Sequence, residues 1–81
     1  MRPYQERVVL AEGALAEIAL ERDGRYRLRF ARAGELLVEY RSDGAKHHRR
    51  GADREHAYEF RSVEQLRYDF ERDVEEAQRQ G

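Results

Sequence analysis

The sequence predicts an α+β fold, an antiparallel meander of four to five strands with one C-terminal helix packed on one face. Three observations carry this. Three short segments each end in glycine between apolar-rich runs, those runs alternate apolar and polar residues with one shared parity, and the C-terminal third changes to an apolar stripe at helical spacing. A chain of 81 residues has room for one core, so residues 1–81 are read as a single domain.

The turns are Ala11-Glu12-Gly13, Arg22-Asp23-Gly24 and Arg32-Ala33-Gly34. A three-residue hairpin loop with glycine in the left-handed position fixes the register of its strands. Opposite residues then have numbers that sum to 24, to 46 and to 66 across the three loops. All three sums are even, so even-numbered residues share one face: Val8, Leu10, Ala14, Ala16, Ile18, Leu20, Tyr26, Leu28, Phe30, Leu36, Val38 and Tyr40, none of them charged. This parity also makes Ala14 to Leu20 a strand, although its alanine and leucine content would suit a helix. The odd face is rich in charge, and the register sets Arg7 against Glu17, Glu17 against Arg29, Glu21 against Arg25, and Arg27 against Glu39. The sheet is expected to span residues 5–41.

Residues 42–56 read as a polar, basic, histidine-rich loop with no large apolar side chain. Ala57-Tyr58-Glu59-Phe60 resumes the alternation as a short fifth strand, 57–60. A helix over 62–79 follows. Ser62 is its N-cap, Gln65 completes a capping box, and Val63, Leu66, Phe70, Val74 and Ala77 form the stripe that covers the even face of the sheet.

Composition excludes several function classes. There is no cysteine, which removes disulfides, thiolate metal sites and cysteine nucleophiles. No apolar run is long enough to cross a bilayer and the N-terminus has no signal-peptide core, so a cytoplasmic location and no membrane association are expected. Sixteen bases face 17 acids, but unevenly. From Arg22 to Arg54 there are ten bases and five acids, and from Glu55 onward four bases and eight acids. A basic middle and an acidic end suit an anionic ligand or charge-matched partners.

Chemistry concentrates in Lys46-His47-His48-Arg49-Arg50 and His56-Ala57-Tyr58. Histidines can act as acid and base in RNA transesterification while arginine or lysine stabilises charge on the phosphate, with no metal and no other cofactor. His47 or His48 is then the candidate general base, His56 the general acid, Arg49 and Arg50 phosphate clamps, Lys46 a transition-state stabiliser, and Tyr58 an orienting or stacking group. A zinc site from His47 or His48 with His56 and Asp43 or Asp53 matches no established spacing. The same loop also suits a polyanion-binding surface without catalysis.

In order along the chain, Glu6-Arg7-Val8-Val9-Leu10, Tyr26-Arg27-Leu28, Val38-Glu39-Tyr40, Lys46-His47-His48-Arg49 and the stretch from Tyr58-Glu59-Phe60-Arg61-Ser62-Val63-Glu64-Gln65-Leu66 through Asp69-Phe70 and Asp73-Val74 together resemble the TumE family. The resemblance implies a toxin of a prokaryotic type II toxin–antitoxin module, neutralised by a cognate DNA-binding antitoxin. RNA or the ribosome is the expected target, a conclusion drawn from the histidine and arginine loop rather than from the family. A homodimer through a sheet edge is a further expectation.

Overall fold

A computed structural model describes residues 2–51 and 54–80; Asp53, considered above for a zinc site, lies outside them. The alternating runs become six strands, β1 (Tyr4–Val9), β2 (Ala14–Leu20), β3 (Tyr26–Arg32), β4 (Glu35–Ser42), β5 (His47–Arg50) and β6 (Glu55–Ala57). They form one antiparallel sheet in chain order, followed by the α-helix α1 (Val63–Gln80). The architecture is the α+β meander with a C-terminal helix that the sequence predicts, with six strands in place of four to five.

The first two hairpins keep the expected register, with Arg7 opposite Glu17, Glu17 opposite Arg29 and Leu20 opposite Tyr26. The third hairpin does not. Its turn is the two-residue Ala33-Gly34, both left-handed at φ 52° and 81°, as a tight hairpin turn that follows the strand twist requires. Next to that turn Ala31 faces Leu36, but beyond a bulge Phe30 faces Val38 and Arg27 faces Arg41. The shorter turn moves the register by one residue and the bulge by one more. The total shift of two preserves the predicted parity while changing every partner: Glu39 stands opposite Arg29, not Arg27. Around the bulge Leu37, not the expected Leu36, packs against the core.

The even-numbered face of β2 to β4 is buried by α1, which packs chiefly on β4. Leu28, Phe30, Tyr40 and Leu66 are completely buried and Phe70 almost so. Val8, expected in the core, is 40 % exposed: it borders an open groove against Phe70 and Val74, and α1 reaches β1 through the Arg67 side chain, 3.5 Å from Glu6. Ser62 caps the helix through its Oγ, which accepts from the Gln65 amide at 3.1 Å. Gln65 does not close the expected capping box: its side-chain amide donates forward to Asp69 Oδ1 at 2.9 Å.

The expected loop 42–56 contains a strand pair. Asp43 closes the turn into it, accepting from the Lys46 amide at 3.2 Å. β5 pairs with β4, Tyr40 opposite Arg49 and Ser42 opposite His47, so odd-numbered residues now share the helix side. The apolar alternation is missing because the inward positions are held by hydrogen bonds from polar side chains. β6 begins at Glu55, two residues before the expected strand, and Tyr58–Phe60 lie outside the ladder. Tyr58 and Phe60 nevertheless pack against the core, as their spacing implied.

Candidate functional site

Adjacent residues of a strand point to opposite faces, and this separates the two neighbouring histidines. His47 is on the helix side, stacked on Phe60 with ring centroids 5.3 Å apart and on Tyr26 at 5.6 Å. Its Nδ1 lies 2.8 Å from the Tyr26 hydroxyl. Burial pushes that phenol up to about 12, so it stays protonated. His48 is on the other face, its Nε2 3.4 Å from Asp43 Oδ2. Asp43 in turn has its carboxyl held below the usual range, first by the hydrogen bond from the Lys46 amide. His56, opposite Arg49 on β6, is exposed.

The β5–β6 hairpin thus presents its histidines from both sides. All three border one open groove of about 490 Å³, with Lys46 and Tyr58 on its walls. A second groove of about 360 Å³ shares His56 and Tyr58 and adds Arg49, Arg61, Gln65 and Asp69. Arg50 stands apart from both, on the face away from the helix.

Two helix carboxylates, Asp69 and Asp73, to which the sequence assigned no chemistry, organise the floor of this region. Arg49 makes a two-pronged contact with Asp73, Nε to Oδ2 at 3.0 Å and Nη2 to Oδ1 at 2.9 Å. The Tyr40 hydroxyl donates to the same Oδ2 at 2.5 Å, and the Arg49 guanidinium lies over the Tyr40 ring, 5.5 Å from its centroid. One turn earlier, Asp69 accepts from the Tyr58 hydroxyl at 2.6 Å and from Gln65. Burial and then the bonded carboxylate raise the Tyr40 and Tyr58 phenols well above their ordinary value. The available signal was spacing: Asp69 and Asp73 are four apart and each precedes a stripe residue, which puts both beside the apolar seam. Arg49, a candidate phosphate clamp, therefore has its fork already occupied by a carboxylate.

The face of the sheet away from α1 carries charge in two transverse rows. One runs Arg7, Glu17, Arg29, Glu39, Arg50, Glu55 from β1 to β6, alternating in sign at every strand. The next runs Gln5, Ala19, Arg27, Arg41, His48, Ala57 and contains no carboxylate. Arg27 reaches diagonally to within 4.0 Å of Glu39, which Arg29 approaches to 3.5 Å, and Arg41 pairs with Glu55 at 3.1 Å.

Among the described residues, no three histidine or carboxylate side chains gather as a metal-binding group, and no helix is long and apolar enough to cross a membrane. The chain matches no protein-family model, no curated protein and no solved structure.

Proposed function

We propose that this chain is a growth-inhibiting toxin of the TumE kind, acting on RNA at the β5–β6 hairpin and neutralised by a cognate DNA-binding antitoxin. The observation that carries the reading is the open groove bordered by Lys46, His47, His48, His56 and Tyr58. It offers a polyanion two imidazoles with exposed surface, His48 and His56, beside an exposed ammonium. In this arrangement His56 and His48 exchange protons with the reacting ribose and leaving oxygen, and Lys46 stabilises the charge that develops on phosphorus. His47 is a positioning residue, since its ring is clamped between Tyr26 and Phe60. Arg49 and Tyr58 brace the groove through Asp73 and Asp69.

Those same ties favour a second reading, a non-catalytic inhibitor that blocks an RNA or ribosomal surface. Three of the chemistry-bearing side chains, His47, Arg49 and Tyr58, are bound into the fold, and a charge-driven contact needs only the remainder.

Inducible expression in a bacterium, with growth and total RNA followed together, separates the readings. Wild type is expected to arrest growth and fragment RNA, and His48→Gln with His56→Gln to lose both while remaining folded. Arrest with intact RNA in the wild type moves the conclusion to the binding inhibitor. Absence of arrest on wild-type expression removes the toxin reading altogether.

A further inference from the structure

We infer that the carboxylate-free row on the open sheet face, Arg27, Arg41 and His48, is a phosphodiester-binding track for single-stranded RNA that leads into the β5–β6 groove. The choice of RNA as ligand rests on the proposed function; the anion site rests on the pairing of the strands.

The two rows have the same backbone setting and opposite charge logic. In the first, each arginine faces a carboxylate across at least one ladder, and the row neutralises itself. In the second, Arg27 stands directly opposite Arg41, and Arg41 directly opposite His48. Like charges directly opposite one another, as Arg27 and Arg41 are, destabilise a sheet. This arrangement arises from the shifted third register, since the expected register would have given Arg27 a carboxylate, Glu39. Arg25 borders the same region, where Arg25, Arg27 and Arg41 line an open depression of about 410 Å³ together with two carboxylates at its rim, Glu21 and Asp43. The carboxylates in reach come from neighbouring positions: Glu21 lines the depression, Glu39 lies near both Arg27 and Arg29, Glu55 takes Arg41, Asp43 is 3.4 Å from His48, and Asp23 takes Arg25. The Arg27 side chain remains 59 % exposed. Exposed ion pairs of this kind are weak and exchange readily for a phosphate.

Geometry favours a strand over a small ligand. Neighbouring strands lie about 4.8 Å apart, so Arg27 to His48 extends about 10 Å across the sheet. The small Ala19 and Ala57 flank the cations in the same row and leave the track open at both ends. His48 and Ala57 also border the groove that holds Lys46 and His56, so a backbone laid along the row continues into it. Guanidinium forks on a flat surface hold phosphates without reading bases.

The test is binding of a fluorescent single-stranded RNA oligonucleotide, made cleavage-resistant by 2′-O-methylation, measured by anisotropy across a salt series. Arg27→Gln with Arg41→Gln is compared with Arg7→Gln with Arg29→Gln, which removes the same charge from the same face in the alternating row. The first pair is expected to weaken binding about tenfold or more and to flatten the salt slope by about 1.4, as two lost phosphate contacts require. The second pair is expected to change affinity less than about threefold, in keeping with one net-charge effect on both. Equal weakening by both pairs overturns the track, as does a wild type that does not bind the oligonucleotide. A mononucleotide that binds as tightly as the oligonucleotide also overturns it, since the site would then hold a small ligand. Circular dichroism and urea unfolding check that both variants are folded. Selective loss in the first pair, found in a chain that causes no growth arrest, sustains the track and removes only the toxin reading.

Discussion

Asp73 is the residue on which the most polar contacts converge. It accepts from Arg49 twice and from Tyr40 once, with its side chain 17 % exposed. Asp73→Ala leaves a partly buried guanidinium and a buried phenol without their acceptor, so a loss of about 2 kcal/mol is expected in urea unfolding. Asp69→Ala, which frees Tyr58 and the more exposed Gln65, should lose about half as much. The tyrosines define an alkaline limit. Tyr26, Tyr40 and Tyr58 have raised folded values, whereas tyrosine in an unfolded chain ionises near 10. A raised value means that the unfolded state releases the proton first. Their contribution to stability is therefore complete below about pH 10 and falls as pH climbs toward about 12, where Tyr26 ionises in the fold. Phenolate absorbance and near-ultraviolet circular dichroism, followed in one titration, should change together above pH 10. Ionisation of these three rings with an unchanged dichroism signal would refute the assignment.

At the scale of elements, the third hairpin is where local chemistry departs from ideal. Alanine at φ 52° occupies a left-handed position that favours asparagine or glycine. Ala33→Asn creates the preferred Asn-Gly pair and should raise stability by about 0.5–1 kcal/mol without moving the register. Gly34→Ala, at φ 81° with open space around it, should lower stability through backbone strain alone. Charge in the ladder gives a third expectation. Arg27→Gln removes the like charge opposite Arg41 together with the loose 4.0 Å approach to Glu39, so the urea midpoint should change by the equivalent of less than about 0.5 kcal/mol while RNA binding falls. The helix depends on its seam: Phe70→Ala, from a fully packed position, should cost about 3–5 kcal/mol and test whether α1 holds the sheet closed.

The whole molecule divides its work between two faces. One face of the sheet supports α1 and buries an aromatic cluster in which Tyr40 meets Tyr58 edge-on at 4.9 Å and Phe70 at 6.1 Å. The other face is covered by no element among the described residues and carries the two charge rows. The β5–β6 hairpin lies at one edge of the sheet, so its groove is reached from both faces. This placement lets a polyanion held on the open face contact His48 and then His56 without disturbing the core. The acidic helix surface lies on the opposite side from the arginine track, which keeps the carboxylates of α1 from competing with an anionic ligand there.

Much of this was legible in the sequence because short-range rules control it. Glycine-ended turns and a period-two pattern specify a meander, and Ser62 with the Val63-to-Ala77 stripe specifies where the helix starts and which side it buries. The residues of the candidate site were also legible by type, since histidines, Lys46 and arginines cluster in one segment. Their arrangement was not. No apolar alternation marks β5, because His47 and Arg49 satisfy inward positions by hydrogen bonding to Tyr26 and Asp73, partners 21 and 24 residues away in the chain. Nor could composition tell a three-residue turn from a two-residue turn with a bulge, since both keep even residues on one face. Sequence by itself determined which face of β2, β3 and β4 is buried, for burial there follows a local alternation. Only the tertiary structure decided which charges stand opposite one another, because cross-strand pairing depends on a register that one turn and one bulge set together.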